Sequence, residues 1–264
     1  MQRVSFDRAA DYYDATRGLP ADVSTAMTGV LAAELTDHQP CLEIGVGTGR
    51  IALPLAERGI AMAGSDISDA MMRRLVGNAG GRRPFPLILA DATRLPLTSG
   101  SFGAVLACHV LHLIGDWRAA VDEAMRVLRP GGVLLADFGA TQGGRREGQP
   151  TATTPWREAV RATLERHGIV RTRYGATSVE QVAGHIGCRA RALPPVHVTS
   201  TRTLRRTIED VERQIYSWTW PYPAGQIQAA CDEIRAWALR EDIPLDTQAP
   251  TERVITWQAF DRPA

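Results

Sequence analysis

Three glycines alternate in Gly45-Val46-Gly47-Thr48-Gly49, directly after the apolar stretch Cys41-Leu42-Glu43-Ile44. Glycine tolerates positive φ and leaves room for a ligand against the backbone. The apolar-periodic run Ile51–Ala56 follows and predicts a helix whose free N–H groups face the loop. A strand, a glycine loop and a helix in this order favour a binding site for the polar or anionic end of a ligand.

Acidic residues close three of the predicted strands. Glu43 ends the first, Asp66 ends the stretch 60–66, and Asp91 ends the stretch 85–91. These strands are apolar along their whole length, which is typical of a parallel sheet covered on both faces. Open parallel sheets bind ligands beyond the carboxyl ends of their strands. The three acids and the glycine loop are therefore expected at one edge of the same sheet.

The elements around these residues alternate between strand and helix. Two further strands are predicted at 102–109 and 133–138. Ser68 is expected to cap the helix after the stretch 60–66, and Asp116 the helix that precedes the strand at 133–138. A short polar helix over 5–17 and a helix from Pro20 to Leu35 precede the sheet. The alternation over 40–138 predicts a doubly wound α/β sheet with right-handed crossovers.

The pattern becomes less regular after Phe138. A polar link over 143–150 leads to predicted helices at 155–167, 178–187, 204–216 and 224–239. Strands are expected near 190–198 and 253–260, and Pro194-Pro195 favours an edge position for the first of them. We find no internal repeat.

Composition limits the classes of function. The chain has 264 residues and a formal net charge of +1, so no overall field attracts nucleic acid or an anionic membrane. Its four cysteines form no CxxC pair, which argues against a structural metal or disulfide framework. With no signal-peptide pattern and no apolar run of membrane-spanning length, we expect a cytoplasmic protein without membrane insertion.

The motifs as a set resemble the class I S-adenosylmethionine (SAM)-dependent methyltransferases, in the Methyltransf_11 and ubiquinone/menaquinone methyltransferase-like group. The resemblance covers roughly 10–140. The matching segments are Leu42-Glu43-Ile44-Gly45-Val46-Gly47-Thr48-Gly49, Gly64-Ser65-Asp66-Ile67-Ser68, Asp91-Ala92 with Leu95-Pro96, Glu123-Ala124-Met125-Arg126-Val127-Leu128-Arg129-Pro130-Gly131-Gly132 and the opening Tyr13-Asp14-Ala15-Thr16-Arg17-Gly18.

The resemblance implies a Rossmann-like sheet of seven strands, the last two at 190–198 and 253–260. It implies one methyltransferase domain over 1–264, with N-terminal helices or a lid at 1–39 and a SAM-binding core at 40–138. The stretches 140–175 and 200–248 are then helical cap insertions.

The resemblance also assigns the cofactor-binding residues. Gly45, Gly47 and Gly49 would lie against the aminoacyl part of SAM, and Glu43 would order that loop and place negative charge near the ammonium. Asp66 would bind both ribose hydroxyls. The adenine would contact Asp91, Ala92, Ile67 and Leu95, while Tyr13 or Arg17 would close over the carboxylate. Read singly, Asp66 could instead be a surface cap, Asp91 a turn residue and Arg17 a solvated charge.

A dinucleotide-binding unit is the rival interpretation of the glycine loop. That fold uses G-x-G-x-x-G, and here Arg50 occupies the place of the last glycine. A nicotinamide site requires neither Glu43 before the loop nor an acid after the third strand. The context therefore favours SAM.

Two histidines follow the fourth strand, where this family transfers the methyl group. His109 or His112 could act as a general base if the acceptor must lose a proton. Equally, His109 could line the pocket and His112 could bond a neighbouring carbonyl. Trp218, Trp220 and Tyr222 lie in a segment broken by prolines, where they either pack in a core or form a pocket wall for an apolar or aromatic acceptor. No metal site is expected.

These observations predict a SAM-dependent methyltransferase that acts on a small molecule and releases S-adenosylhomocysteine (SAH). A quinone-type C-methyltransferase is the alternative among enzymes. A SAM- or SAH-binding protein without transferase activity is the alternative outside them.

Overall fold

The structure, a computed structural model, describes residues 5–138, 141–142, 155–170 and 178–263. These residues form two compact units. The first contains 5–138, 178–196 and 255–263, and the second contains 141–142, 155–170 and 197–254. Among the described residues, none of the helices has the length and apolar character needed to cross a bilayer.

The first unit is built on a seven-stranded sheet with the order β3-β2-β1-β4-β5-β10-β7. The first five of these strands are parallel, and β10 runs antiparallel to both β5 and β7. The strands are β1 Cys41–Ile44, β2 Met62–Asp66, β3 Leu87–Leu89, β4 Phe102–Cys108, β5 Leu128–Asp137, β7 Ala190–Ala192 and β10 Gln258–Asp261. The α/β architecture and the seven-stranded sheet predicted from the sequence are confirmed.

Helices cover the sheet because their apolar residues recur on one side. Ser68 and Asp116 cap the helices α4 and α5 by accepting hydrogen bonds from the N–H groups of Met71 and Ala119. The core between α5, α7 and the sheet includes Trp117 and Val182. The helices of this unit are α1 Tyr13–Arg17, α2 Ala21–Leu35, α3 Ala52–Glu57, α4 Asp69–Asn78, α5 Trp117–Val127 and α7 Val179–Ile186.

The second unit has its own sheet and its own core. Strands β6 Thr141–Gln142, β9 Gln248–Ile255 and β8 Val196–Thr203 form a three-stranded sheet in that order, which the sequence did not predict. Its helices are α6 Pro155–Arg166, α8 Leu204–Glu212 and α9 Ala224–Arg240. Their apolar faces meet in a cluster that includes Trp156, Ile208 and Ile234.

Two predicted strands were wrong in their extent. The stretch 190–198 divides into β7 and β8, which lie in different sheets, because neither Pro194 nor Pro195 has an N–H for a ladder. The stretch 253–260 likewise divides into the end of β9 and β10 around the buried Trp257, whose carbonyl accepts from the N–H of Leu193.

Three more predicted elements differ from the structure in their type or extent. The expected helix over 5–17 is a 3₁₀ turn at Asp7–Ala9 followed by the short α1. α8 ends at Glu212 instead of 216, and Gln214 then takes a positive φ of 48°. The strand predicted at 133–138 begins earlier, because 128–132 also belong to β5, next to a register shift on β4.

Candidate functional site

The glycine loop leaves β1 at the carboxyl edge of the sheet. Gly45, Gly47 and Gly49 have φ values of 68°, 54° and 81°. A Cβ on Gly45 would lie 2.6 Å from Cγ2 of Val110, and one on Gly49 would lie 2.8 Å from Cγ of Leu75. Packing therefore requires glycine at 45 and 49, whereas at Gly47 the requirement comes from the backbone conformation.

Asp66 ends β2 and fastens the loop from the neighbouring strand. Its Oδ2 accepts a hydrogen bond of 2.8 Å from the N–H of Gly47, and its Oδ1 accepts one of 2.8 Å from the N–H of Ser68. Burial raises the pKa of this carboxyl, and the two backbone N–H groups oppose that effect. Beside it the side chain of Ile67 is 39% exposed. An acceptor-rich carboxylate next to an open apolar side chain suits a ribose diol followed by an adenine ring.

The side chain of Asp91 is bonded to a residue close to it in sequence. Its Oδ1 accepts from the N–H of Thr93 at 2.9 Å and from the Thr93 hydroxyl at 2.8 Å, which is an Asx turn after β3. Ala92 packs against the core, and the Leu95 side chain is buried within it. Of the two apolar residues expected at the adenine, Ile67 is the exposed one. Roles for Asp91, Ala92 and Leu95 at adenine stay predictions.

Glu43 is a buried carboxyl within β1, 2% exposed. Burial raises its pKa to about 8, and the positive charge of Arg50 partly offsets the effect. Among the residues that the structure describes, its Oε2 has no hydrogen-bond partner. A buried acceptor without a donor is costly, so a ligand ammonium near this oxygen would remove an existing penalty. This orphaned oxygen is the feature of the site that best fits SAM.

Arg50 is a site residue that the sequence analysis missed. Its guanidinium donates to the carbonyl oxygen of Arg17 and interacts with Glu43, Tyr13 and Cys108. The available signal was its position directly after the third glycine, which we interpreted only as a departure from a dinucleotide motif.

The N-terminal segment docks on the loop through two acids. Asp7 accepts from the hydroxyl of Ser68 at 2.5 Å. Asp14 accepts from the hydroxyl of Thr48 at 2.5 Å and from the amide of Asn78 at 2.9 Å. These contacts hold 7–17 against the glycine loop and α4.

The docking brings Tyr13 toward the strand ends. Burial raises the pKa of its phenol, and the charges of Arg50, Arg17 and Asp66 act on it. Tyr13 thus lies near both Asp66 and Arg50. The predicted closure of Tyr13 or Arg17 over SAM remains a prediction.

His109 follows β4 with a positive φ of 49°. Its Nε2 lies 3.0 Å from Oδ2 of Asp137, a buried acid at the end of β5. A non-glycine residue with positive φ is uncommon and often marks a functional position. A carboxylate that accepts from one ring nitrogen fixes the tautomer of the histidine. Asp137 was not identified from the sequence, although it ends β5 as Asp66 ends β2.

Cys108 completes a possible metal-ligand group with these two residues. Within the described parts of the chain, the ligand atoms of Cys108, His109 and Asp137 lie within 4.8 Å of one another. Burial raises the pKa of the Cys108 thiol, which opposes the thiolate that a metal requires. The other histidine, His112, is half-buried in a 3₁₀ turn at Leu111–Leu113.

The three aromatic residues predicted for the acceptor all lie in the second unit. Trp218 stacks on Tyr216 with ring centroids 5.7 Å apart. Trp220 Nε1 donates to the carbonyl of Gln214 at 2.8 Å, and the Tyr222 hydroxyl accepts from the N–H of Val170 at 2.9 Å. These contacts give each ring a packing role inside the unit. A pocket wall formed by them stays a prediction.

A cavity of about 260 Å³ lies beside the glycine loop in the first unit. Its lining includes Asp14, Thr48, Arg50, Leu53 and Asn78. None of the residues expected at ribose or adenine borders it, so we do not assign the cofactor to this cavity.

Comparisons with known proteins agree with this geometry. A family described as a methyltransferase domain, Methyltransf_11, matches residues 42–136. A demethylmenaquinone methyltransferase of Corynebacterium urealyticum is 36% identical over 106 residues, 40% of this chain and 44% of the relative. A malonyl-[acyl-carrier protein] O-methyltransferase of Geobacter sulfurreducens is 33% identical over 140 residues, 52% of each chain. The chain thus spans about half the length of these relatives.

A solved structure supports the fold over nearly the whole chain. The N-methyltransferase NodS of Bradyrhizobium japonicum, in complex with SAH, aligns with a TM-score of 0.53 and 14% identity, covering 98% of this chain and 97% of NodS. At this identity the likeness concerns the fold alone. The sheet order and the loop geometry agree with the sequence comparison, in which residues 42–136 match the Methyltransf_11 family of methyltransferase domains.

Proposed function

We propose that this chain is a SAM-dependent methyltransferase that methylates a small molecule and releases SAH. The observation that carries the proposal is the unpaired, buried Oε2 of Glu43 beneath a glycine loop fastened by Asp66. Both acids lie at the carboxyl edge of adjacent parallel strands, where such sheets bind ligands. Bound SAM supplies a methyl group already activated on a sulfonium.

The residues of the chain then have to bind SAM and the acceptor, orient them for transfer and exclude water. Glu43 faces the ammonium, Asp66 accepts from the ribose hydroxyls, and Ile67 covers one side of the adenine. Tyr13 and Arg17 close the entrance from the N-terminal segment, which Asp7 and Asp14 already hold against the loop. Such positioning is the main requirement of an in-line transfer, because little covalent chemistry is left to the side chains.

His109 is the base in this proposal where the acceptor atom carries a proton. Asp137 accepts from Nε2–H, so Nδ1 is the nitrogen that takes the proton from the acceptor oxygen or nitrogen. SAM, held by Glu43, Asp66 and the glycine loop, would supply the methyl group for that atom, and the electron pair of the broken S–C bond would stay on the sulfur of SAH. A carbon acceptor of the quinone type would lose its proton to the same nitrogen, and one relative of this chain is named demethylmenaquinone methyltransferase.

An isotope-transfer assay tests the proposal. The purified chain is incubated with SAM labelled in the methyl group and with pooled small-molecule extracts, and labelled products are separated by chromatography. Transfer of label into one product class is expected. Binding of SAM without transfer to any pool would favour the non-catalytic alternative, and a labelled quinone would favour the C-methyltransferase.

A further inference from the structure

The cavity of about 260 Å³ beside the glycine loop is formed by the first unit alone. Its walls come from the N-terminal segment, the loop, α3 and the end of α4. Of the three loop glycines, Gly49 borders the cavity, whereas Glu43, Asp66 and His109 do not. A ligand in this cavity is therefore neither the cofactor nor the methyl acceptor of the proposed reaction.

The backbone around the cavity offers a hydrogen-bond acceptor. Pro54 lies in the first turn of α3, borders the cavity and has no N–H. It cannot donate to the carbonyl oxygen of Arg50, four residues earlier, and no backbone N–H of the described residues takes its place. The guanidinium of Arg50 donates to the carbonyl oxygen of Arg17. Arg50 thus brings an acceptor to the cavity lining, while its cationic group is already bonded to the N-terminal segment.

Two carboxylates add negative charge to the lining. Asp14 accepts from two neutral donors, as described above, and its Oδ2 lies 3.5 Å from Nε of Arg74. Glu57, at the end of α3, also borders the cavity and is exposed to solvent. Its neighbour Arg58 donates to the carbonyl oxygen of Thr25 at 3.3 Å. The carboxylate of Glu57 can therefore meet a cation that enters from solvent.

The remaining wall is apolar and the volume is small. Leu53 and Pro54 are half-buried and border the cavity. Sites for drug-sized ligands have volumes of roughly 300–1,000 Å³, so about 260 Å³ suits a smaller molecule. An apolar wall beside acceptors and a carboxylate fits a hydrocarbon body that carries a donor with positive charge.

We propose that this cavity binds a small organic ammonium ion, with an apolar body on Leu53 and Pro54 and its charged group at Glu57, as an effector of cofactor binding. The ligand would contact both the glycine loop and the N-terminal segment, which Asp14 holds against that loop. A ligand that keeps the segment and the loop together favours the form that holds the cofactor, and the two ligands then increase each other's affinity by the same factor. The effector role rests on the proposed function, whereas the existence of the site does not.

Binding of a model ammonium ion by the full chain tests the site. Benzylammonium and the neutral benzyl alcohol are titrated by ligand-detected NMR into wild type, Glu57→Gln, Glu57→Lys and the control Asp37→Lys. Asp37 is an exposed acid of the same unit outside the cavity, so its substitution changes the net charge by the same amount as Glu57→Lys does.

We expect wild type and Asp37→Lys to bind benzylammonium about fivefold more tightly than benzyl alcohol, the upper end for an ion pair with an exposed carboxylate. Glu57→Gln should bind the two probes equally, and Glu57→Lys should bind benzylammonium more weakly than benzyl alcohol. Equal binding of both probes by wild type, or equal losses of benzylammonium affinity in Glu57→Lys and Asp37→Lys, would overturn the site.

Calorimetric titration of SAH, with and without saturating benzylammonium, tests the effector role. Wild type should bind SAH about fivefold more tightly in the presence of benzylammonium, the lower end of typical coupling between sites. Glu57→Lys should show no such gain. An SAH affinity that benzylammonium leaves unchanged in wild type would overturn the effector role. Benzylammonium binding by a chain that does not bind SAH would reject the proposed function and leave the ammonium site standing.

Discussion

Replacing Glu43 with glutamine should raise the stability of the fold at high pH and weaken cofactor binding, because the buried carboxylate destabilises the fold but binds the ammonium of SAM. Burial raises the pKa of Glu43 from 4.5 to about 8 in the folded chain. A group whose folded pKa is raised stabilises the fold fully below its unfolded pKa, and that contribution is lost as pH rises through the folded pKa. For Glu43 the loss falls between about pH 4.5 and pH 8.

The size of the effect follows from the shift. At about 1.4 kcal/mol per pKa unit, the shift from 4.5 to about 8 means that ionised Glu43 costs up to roughly 5 kcal/mol above pH 8. Glutamine has nearly the same shape and no charge, so Glu43→Gln should be more stable than wild type at pH 9 and similar to it at pH 5. With roughly 2–4 °C of unfolding temperature per kcal/mol, the unfolding temperature of Glu43→Gln at pH 9 should exceed that of wild type by about 10–20 °C.

Thermal unfolding between pH 5 and pH 9 measures this difference, with the exposed Glu57→Gln as the control. Calorimetric titration with SAH measures the benefit of the Glu43 carboxylate to cofactor binding. Wild-type affinity should increase from pH 6 to pH 8 as Glu43 ionises to meet the ammonium, whereas Glu43→Gln should bind more weakly and with less dependence on pH. A stability difference that is the same at pH 5 and pH 9 would refute the reasoning.

Three further predictions concern the entrance, the base and the acceptor. Hydrogen exchange of the amides in 12–17 should slow when SAH is added, and unchanged protection would rule out a lid. Asp137→Asn should lower kcat by at least about tenfold and move the acidic limb of the pH–rate profile, with SAM affinity unchanged; an unmoved profile would reduce Asp137 to a structural partner of His109. Trp220→Ala should keep the fold and SAH affinity but slow acceptor turnover, and unfolding of this variant would make the tryptophan a core residue.

The parallel part of the fold could be predicted because each of its strands carries its own signal. β4 is a continuous apolar run, and β1 and the second half of β5 are apolar apart from Glu43 and Asp137. Ser68 and Asp116 mark the starts of α4 and α5. The residue types within each of these segments are sufficient to predict its secondary structure.

The later strands depend on contacts between distant residues. The division of 190–198 into β7 and β8 required knowing that each half pairs with a different sheet, although the two prolines indicated the break. The three-stranded sheet was missed for the same reason, because β6 has only two residues, Thr141–Gln142, and its partner β9 is as distant as Gln248–Ile255.

The cofactor side of the site was more predictable than the chemistry beside it. Glu43, Asp66 and the glycines belong to contiguous motifs, and the structure brings them to one edge of the sheet. The pairing of His109 with Asp137 joins two strands, and Arg50 reaches Glu43 and Cys108 across the loop. Neither spacing nor residue type reveals such pairs within a single sequence.

Calorimetric titration of SAH into wild type, Asp66→Ala and the control Asp69→Ala tests the central claim most directly. Asp69 is exposed in the first turn of α4, three residues from Asp66. Loss of charged-acceptor bonds to the ribose, worth about 1.5–3 kcal/mol each, predicts that Asp66→Ala binds SAH at least about tenfold more weakly. Asp69→Ala should bind as wild type does. Unchanged SAH affinity in a folded Asp66→Ala, or NAD binding in place of SAH binding by wild type, would contradict the account.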